Sequence, residues 1–338
     1  MAEESRVNGL DECPAAKKVK IESENPSTNS NSVHAPVLSS ALFKPRKILQ
    51  NNSTRKQICL EGEFKGYEGP AVIVLEKQNF PDDEQALQEF FNDDVSLKKL
   101  YTNDLYGNYE CFPVKKQNGI NVTIVHPATE KHIEKFRRKQ MYIVDETYEL
   151  YQKITIPYLE SSSFSIDWIN NILEHKAEQD RIVYEDEDKK TGFIMVHDLK
   201  WDGQSNSLYL IALPFQNIRS IRELNDSHLP LLKNIRDAGT AAIVKKFNIP
   251  ASQLRVYFHY QPSYYYLHVH FVYLMFEAPG IYVERAHLLS TVIRNIELMP
   301  DYYTKAVLSY AVVEGDPLHR KFVEEGVISE AKSKSTED

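Results

Sequence analysis

Residues 259–272 read His-Tyr-Gln-Pro-Ser-Tyr-Tyr-Tyr-Leu-His-Val-His-Phe-Val, and they are the most informative part of the chain. Its β-branched and aromatic residues surround a Pro-Ser turn, which predicts a hairpin of two antiparallel strands over 255–259 and 264–276. Alternate residues of a strand share a face, so we expect His268 and His270 to point the same way, about 7 Å apart. The turn brings the first histidine of the stretch onto the neighbouring strand, which predicts three imidazoles on one surface.

The three imidazoles of His259, His268 and His270 allow several kinds of chemistry. Such a group can bind a metal ion, act as nucleophile and acid, or hold a phosphate. A zinc site usually adds a carboxylate or a cysteine at a matching distance, and none is apparent from the spacing. We therefore expect a nucleophile rather than a metal site, and no cofactor. The alternative is that these histidines are hydrogen-bonded structural residues.

Composition limits the class of protein. The 338 residues carry a formal net charge of −8, which disfavours binding to long RNA or DNA and leaves room for a small anion in a locally basic pocket. The cysteines, Cys13, Cys59 and Cys111, are far apart and form no Cys-x-x-Cys pair, so we expect neither disulfides nor a thiolate zinc site. With an acidic, polar N-terminus and no apolar run of about 18 residues, we expect a soluble intracellular protein with no membrane partner.

The chain divides by composition into a tail, two domains and a connection. Residues 1–40 are rich in Ser, Asn, Glu and Pro and have no aromatic residue, which predicts disorder. Lys17–Lys20 within them is either a nuclear import signal or a solvated run of charge. The remaining ranges are a β-rich α+β domain over 41–138, a hinge helix over 139–152, a larger α+β domain over 153–331 and a short tail over 332–338.

Helical periodicity is clearest in the larger domain. Ser165 is expected to cap a helix with Ile169, Ile172 and Leu173 on its buried face. Two further amphipathic helices are expected over 226–247 and 283–298. With the strands described above, this pattern predicts an antiparallel sheet covered by helices.

The residues Tyr266-Leu-His268-Val-His270-Phe-Val resemble the histidine-triad (HIT) motif, His-φ-His-φ-His-φ-φ with φ apolar. The longer run 254–271 is similar to the scavenger mRNA decapping enzyme (DcpS) family within that superfamily. The resemblance covers roughly residues 43 to 320 and includes the following further segments: Trp168-Ile-Asn-Asn-Ile-Leu-Glu-His-Lys-Ala-Glu178-Gln-Asp-Arg-Ile-Val, Asp198-Leu199-Lys200-Trp201, Phe276-Glu-Ala-Pro-Gly280, Val283-Glu-Arg285-Ala-His and Pro127-Ala-Thr-Glu-Lys-His132.

The resemblance implies a fold and an activity. The family has a C-terminal HIT-like domain, an antiparallel sheet with helices, after a smaller, β-rich, domain-swapped N-terminal domain, and it forms homodimers. Its members hydrolyse the 7-methylguanosine cap dinucleotide or short capped RNA during mRNA decay and release 7-methyl-GMP. By resemblance, we expect the same activity and homodimer here, in cytoplasm and nucleus.

The resemblance also assigns roles to residues. His268 aligns with the nucleophile, and His270 and His259 support the same phosphate. Trp168 stacks on the cationic base, and the positions of the other expected contacts follow from the family pattern. They are Leu199 on the second face of the base, Glu178 on the guanine N1 and N2 edge, Lys200, Lys135, Arg285, Ser263 and Tyr264 on the phosphates, Asn103 on the cap, and Asp198 beside Lys200 or the ribose.

The two proposed base contacts also have a structural interpretation, in which Trp168 anchors its helix in the core and Glu178 is solvated.

The sequence departs from the family at Tyr266, where the first histidine of the triad is expected. A phenol carries no positive charge at neutral pH, so this position either orients the strand or weakens catalysis. Two other functions are therefore kept open: a HIT hydrolase or transferase for dinucleoside polyphosphates, and a cap-binding protein with impaired catalysis.

Overall fold

The computed structural model describes residues 39–81, 83–92, 94–162, 165–199 and 201–330. The predicted tails, apart from Ser39 and Ser40, lie outside these residues, as do the basic cluster Lys17–Lys20 and the candidate ligand Lys200. The described chain divides into two compact units, the first ending at Arg138 and the second beginning at Lys139. Within the described ranges, no helix is long and apolar enough to cross a membrane.

The first unit is built on a four-stranded antiparallel sheet with the order β1-β2-β3-β6. Its inner face packs Leu49, Cys59 and Val72 against Ile133 and Phe136 of the last helix. A separate two-stranded hairpin, β4-β5, is exposed along almost its whole length. In chain order the elements are β1 (Phe43–Asn52), β2 (Gln57–Phe64), β3 (Pro70–Lys77), α1 (Glu84–Phe90), β4 (Ser96–Asn103), β5 (Tyr106–Phe112), β6 (Ile120–Val125) and α2 (Glu130–Phe136).

The second unit contains a six-stranded antiparallel sheet with the order β13-β11-β12-β10-β9-β8, and a two-stranded ladder, β14-β7. Its strands are β7 (Met141–Glu146), β8 (Ile182–Asp186), β9 (Phe193–His197), β10 (Tyr209–Pro214), β11 (Leu254–His259), β12 (Val269–Tyr273), β13 (Ala286–Leu288) and β14 (Leu308–Val313). Its helices are α3 (Tyr148–Leu150), a π-helical turn (Tyr151–Thr155), α4 (Ile156–Ser161), α5 (Asp167–Leu173), α6 (Leu229–Phe247), α7 (Leu289–Leu298), α8 (Tyr302–Lys305) and α9 (Pro317–Glu324).

Both faces of the six-stranded sheet are covered. On one face Val269 and Phe271 of β12 belong to the main hydrophobic core, which α6 and α7 close. On the other face Val272 packs in a smaller core with Ile169 and Ile172 of α5. Successive strand residues point to opposite faces, so β12 contributes to both cores. The prediction of an α+β protein with antiparallel sheets and a β-rich N-terminal region is confirmed.

The prediction of a hinge helix over 139–152 is wrong for its first half. Residues 141–146 form β7, which pairs with β14, and helical structure begins only at Tyr148. The alternation along β7 buries Val144 and Glu146 and exposes the residues between them. Because the pairing strand lies more than 160 residues away in sequence, local periodicity could not identify it.

Three element boundaries also differ from the predictions. Strand β12 starts at Val269, so residues 260–268 form a long connection rather than a tight turn. The helix expected from 283 begins at Leu289, after the short strand β13, and the one expected from 226 begins at Leu229 after a 3-10 turn.

The predicted N-cap is shifted by one residue. The N-cap position of α5 is Ile166, but the hydroxyl of Ser165 accepts from the Asp167 N–H at 3.3 Å and donates to the Asp167 carboxylate at 3.0 Å. The buried helix face was predicted correctly, since Ile169 and Ile172 are fully buried.

Candidate active site

The β11–β12 connection brings the three histidines together. His259 ends β11, His270 is the second residue of β12, and His268 lies immediately before that strand. The ring centroids of His259 and His270 are 4.3 Å apart, and those of His268 and His270 are 4.9 Å apart. One nitrogen from each ring lies within 4.8 Å of the others. The predicted cluster of imidazoles therefore exists. One of its members, His268, lies just before β12 and not within it as predicted.

One ring nitrogen of His268 has a defined protonation state. Nδ1 lies 2.6 Å from the carbonyl oxygen of Tyr266, which can only accept a hydrogen bond. Nδ1 therefore carries the proton, and Nε2 of the neutral ring carries the lone pair. Desolvation by burial lowers the pKa of His268, although the hydrogen bond to Tyr266 raises it. A neutral imidazole with a free lone pair on Nε2 can act as a nucleophile.

The other two imidazoles are held by packing. His270 is 4% exposed and stacks on the ring of Tyr257 with 5.1 Å between centroids. His259 is also buried, and the backbone of Gly280 approaches it closely. A Cβ added at Gly280 would lie 2.6 Å from Nε2 of His259, and the φ of this residue is +77°. Only glycine suits both conditions, so Gly280 fixes one side of the imidazole cluster.

Tyr266, the residue that departs from the triad motif, has a structural contact. Its hydroxyl donates to the carbonyl oxygen of Pro214 at 2.6 Å, at the end of β10. Burial raises the pKa of Tyr266 to about 12, so the phenol stays neutral and remains a donor. The adjacent Leu267 N–H donates to Ile218 O at 2.6 Å. These contacts attach the connection before β12 to the segment that follows β10.

The positively charged side chain of Arg285 lies beside the imidazoles. The buried guanidinium of Arg285 donates from Nη2 to the hydroxyl of Ser263 at 2.9 Å, and its positive charge lowers the pKa of His268. Asp198 acts on the same ring with the opposite sign. Three imidazoles of this spacing could also hold a metal ion, but a fixed guanidinium beside them favours an anion over a second cation. The site therefore has the electrostatics of a phosphate site.

Two aromatic residues extend the site away from the histidines. Trp168 of α5 is half-buried and meets the ring of Tyr264 edge to face, with centroids 5.4 Å apart. Tyr264 is 44% exposed and directly follows Ser263. Ser263, Tyr264 and Arg285 are thus brought together by the β11–β12 connection, with Trp168 next to them.

The remaining candidate residues of the second unit lie at two loops. Glu178 follows α5 and forms an ion pair with Arg181. Asp198 and Leu199 follow β9, where the Asp198 N–H donates to Tyr209 O at 3.0 Å and the Leu199 side chain is 81% exposed. An exposed leucine at this point is available to cover a ligand.

Two candidate residues belong to the first unit. Asn103 ends β4 and Lys135 lies in α2, and both side chains are exposed. Their roles remain predictions from the family resemblance.

Sequence patterns did not indicate a pocket beside the histidines or the buried ion pair that supports their connection. A small open pocket beside His259 and His268 is also lined by Arg219, Ser220 and Pro262. The side chain of Arg219 pairs with Glu223. Arg219 and Ser220 come from the segment after β10, whose approach to Pro262 of the β11–β12 connection depends on tertiary contacts.

A buried ion pair supports the start of the same connection. Glu146 and Arg222 have no exposed side-chain surface, and Arg222 Nη2 lies 3.0 Å from Glu146 Oε1. Tyr260 and Gln261, which follow His259 directly, both donate to the Glu146 carboxylate. The hydroxyls of Thr155 and Tyr310 donate to its other oxygen. Because every partner is distant in sequence except Thr155, no local motif could have revealed this network.

An antiparallel α+β domain with three converging imidazoles and a fixed guanidinium defines a phosphate-directed histidine site. Residues 40–139 match the family model described as "Scavenger mRNA decapping enzyme (DcpS) N-terminal", and residues 167–285 match "Scavenger mRNA decapping enzyme C-term binding". The chain belongs to the scavenger mRNA decapping enzyme family.

Curated relatives agree with the family models. The m7GpppX diphosphatase of Mus musculus is 45% identical over 85% of this chain and 87% of that protein. The protein of the same name from Homo sapiens is 44% identical over the same shares. The one from Caenorhabditis elegans is 34% identical over 83% of this chain and 90% of its own length. Similarity therefore extends over both units rather than over the histidine motif alone.

Proposed function

We propose that this chain hydrolyses the 5′-5′ triphosphate bridge of the 7-methylguanosine cap, on cap dinucleotide or short capped RNA, and releases 7-methyl-GMP in mRNA decay. The single observation that carries the mechanism is the hydrogen bond from His268 Nδ1 to Tyr266 O, which leaves Nε2 as the nucleophilic nitrogen. Family membership supplies the substrate class.

The reaction is a double displacement. The lone pair on Nε2 of His268 forms a bond to the phosphorus next to 7-methylguanosine, and the bond from that phosphorus to the bridging oxygen breaks. The remaining nucleoside diphosphate, or the short RNA that carries it, leaves as an anion. Water then displaces the imidazole from phosphorus, releasing 7-methyl-GMP and restoring the neutral ring. Splitting one difficult displacement into two is the general advantage of a covalent intermediate.

The phosphate is held by cations and hydroxyls around that nitrogen. Arg285, buried and bonded to Ser263, stabilises negative charge as it develops on the transferring phosphate. Tyr264 contributes a second hydroxyl, and His270 and His259 hold the same group. Lys200, Lys135 and Asn103 are retained as proposed ligands by family resemblance. No metal is required in this mechanism.

The methylated base is recognised through its charge and its edge. 7-Methylguanine is cationic, and the indole face of Trp168 attracts a cation by about 0.5–2 kcal/mol. Leu199 covers the second face of the base. The carboxylate of Glu178 accepts hydrogen bonds from N1–H and N2–H, an edge that adenine lacks. This pattern favours the cap over diadenosine polyphosphates, the substrates of the alternative HIT reaction.

We also propose a homodimer, domain-swapped as in the family, with the HIT-like fold in its C-terminal unit. The β4–β5 hairpin supports a second copy as its occupant, because its apolar side chains are exposed in the single chain: Leu97, Leu100, Tyr101, Tyr106, Tyr109 and Phe112. Such contiguous apolar surface usually marks a protein interface. Sedimentation of the chain at twice its mass supports this, and a monomer at micromolar concentration contradicts it.

The proposed localisation is cytoplasm and nucleus, with Lys17–Lys20 as the import signal. Fluorescence microscopy of the tagged chain, with these three lysines changed to alanine in a matched variant, tests it. Equal nuclear signal in both contradicts the role of the cluster.

The activity is tested with methylated and unmethylated cap dinucleotide and diadenosine tetraphosphate, each with a chelator present. We expect 7-methyl-GMP from the methylated cap, and an acid-quenched sample should contain nucleotide bound to His268. His268→Asn should lower turnover by about 10³-fold or more while cap binding survives. Equal turnover of diadenosine tetraphosphate would favour the broader HIT reaction, and cap binding without product would favour an impaired cap-binding protein.

A further inference from the structure

The guanidinium of Arg181 joins two loops of the second unit. Its Nη1 donates to Oε2 of Glu178, and its Nε donates to the carbonyl oxygen of His197 at 3.1 Å. Nη2 donates to the same carbonyl. The Arg181 side chain is only 14% exposed, so these contacts are largely shielded from water. His197 immediately precedes Asp198 and Leu199, and Arg181 therefore connects both loops that carry proposed base contacts.

The backbone of Glu178 is also constrained. It has φ +58° and ψ 29°, a left-handed conformation that residues other than glycine rarely adopt. The Arg181 N–H donates to Glu178 O at 3.0 Å and closes a turn over this residue. Rare backbone conformations of this kind persist where surrounding contacts over-determine them, and they concentrate at binding sites. Both the main chain and the side chain of Glu178 thus depend on Arg181.

We propose that Arg181 is a positioning residue for base specificity. It holds the Glu178 carboxylate and the Asp198–Leu199 loop in one arrangement before the ligand arrives. This proposal rests on the proposed function, because it assumes that Glu178 reads the guanine edge. Arg181 itself does not touch the base.

The shape of the guanidinium explains why an arginine suits position 181. A carboxylate offers about four acceptor positions, so the Arg181 contact leaves enough for N1–H and N2–H of guanine. A planar guanidinium can bond the carboxylate and the carbonyl at once, whereas a lysine ammonium acts as a point charge. Preorganising the acceptor lowers the entropic cost of binding. The contribution should therefore be seen in substrate binding rather than in the chemical step.

The experiment measures KM and kcat for two probes, 7-methylguanosine cap dinucleotide and its 7-methylinosine counterpart, which lacks the N2 amino group. Arg181→Met removes both contacts, and Arg181→Lys is the conservative variant. Arg255→Met is the matched control, since Arg255 is also half-buried and donates to backbone carbonyls, those of Phe276 and Leu274, at 3.4 and 3.2 Å.

We expect Arg181→Met to raise KM for the guanosine cap about tenfold, with kcat within about twofold of the parent. The preference for guanosine over inosine should shrink towards one, because an unheld carboxylate discriminates poorly. Arg181→Lys should restore part of the preference. Arg255→Met should keep both KM and the preference. If Arg181→Met keeps the preference, or matches the Arg255→Met control, the proposal is overturned.

Glu178→Gln separates this proposal from the proposed function. If Glu178→Gln leaves cap binding and base preference unchanged, Glu178 does not read the base, and the proposed recognition fails with this inference. If Glu178→Gln impairs binding while Arg181→Met does not, only the role of Arg181 fails. Because Arg181 acts on the base preference through Glu178, the double variant should have the same guanosine-to-inosine preference as Glu178→Gln alone. A further loss of that preference in the double variant would overturn the proposal.

Discussion

His268 Nδ1 and the carbonyl oxygen of Tyr266 lie 2.6 Å apart, and this contact determines which nitrogen of the ring is free to react. The two residues are separated by Leu267 alone, whose own N–H is bonded to Ile218. The orientation of the imidazole is therefore set by a short, well-anchored piece of backbone. This contact therefore bears on the pH dependence of activity and stability, and on the effect of replacing Tyr266.

The pH dependence of activity should reflect the lowered pKa of His268. Attack requires the neutral ring, so kcat/KM should fall only as pH drops through a pKa below the ordinary value of about 6.5. The Arg285 charge contributes to the lowering and Asp198 opposes it. Initial rates between pH 4.5 and 8 measure the acidic limb. A limb at or above pH 6.5 would contradict the structure.

The same shift predicts a change in stability with pH. Below about pH 6.5 the unfolded chain binds a proton at residue 268 that the folded chain resists, so the free energy of unfolding should fall as pH falls. His268→Asn removes this contribution, so the free energy of unfolding of the variant should fall less than that of the parent between pH 7 and 5. Urea unfolding at several pH values measures it. Other histidines with lowered pKa values, such as His197 and His287, are common to both proteins and cancel.

Tyr266→Phe should test whether the departure from the triad is structural. Removing the hydroxyl leaves Pro214 O without its donor, which should lower the free energy of unfolding by about 1–3 kcal/mol. Turnover should fall by no more than about tenfold, because the neutral phenol supplies orientation rather than charge. Tyr303→Phe, which removes a hydroxyl bonded to Asn295 at 3.3 Å, is the control for stability. A loss as deep as that of His268→Asn would assign Tyr266 to the transition state.

Glu146→Leu should strongly destabilise the second unit. It leaves the fully buried Arg222 without its carboxylate, and breaking such a pair costs about 3–5 kcal/mol. Tyr260 and Gln261 also lose their acceptor, so the connection that follows His259 should become mobile. Urea unfolding and cap turnover measure the two effects. Adding Arg222→Met should recover part of the stability, and no recovery would contradict the explanation by an unpaired charge.

Gly280→Ala should reduce turnover through His259. The added methyl group would approach Nε2 of this ring to 2.6 Å, at a φ of +77°. Gly315→Ala is a matched control, since it has a φ of +80° and no heavy atom within 4 Å of its added Cβ. Both variants should lose about 1 kcal/mol of stability from backbone strain. A turnover loss equal in both would show that the approach to His259 is irrelevant.

Local patterns were sufficient for much of this protein. The β-branched and aromatic residues of 264–276 predicted a strand, which the structure has over 269–273, and the spacing of Ile169 and Ile172 predicted the buried face of α5. The run from His259 to His270, with the segments around Trp168 and Asp198, indicated the family. Such patterns work because strand and helix periodicities are properties of consecutive residues.

Contacts between residues far apart in the sequence could not be predicted from local patterns. Residues 141–146 form a strand because they pair with β14, although their sequence also suited a helix. Glu146 pairs with Arg222, Tyr266 donates to Pro214 O, and Arg181 donates to His197 O. Each of these buried polar groups needs a partner, and folding supplies it from a distant part of the chain. The order of residues sets which chemical groups are present, whereas folding sets how those groups are oriented, because burial makes an unmatched donor, acceptor or charge too costly to keep.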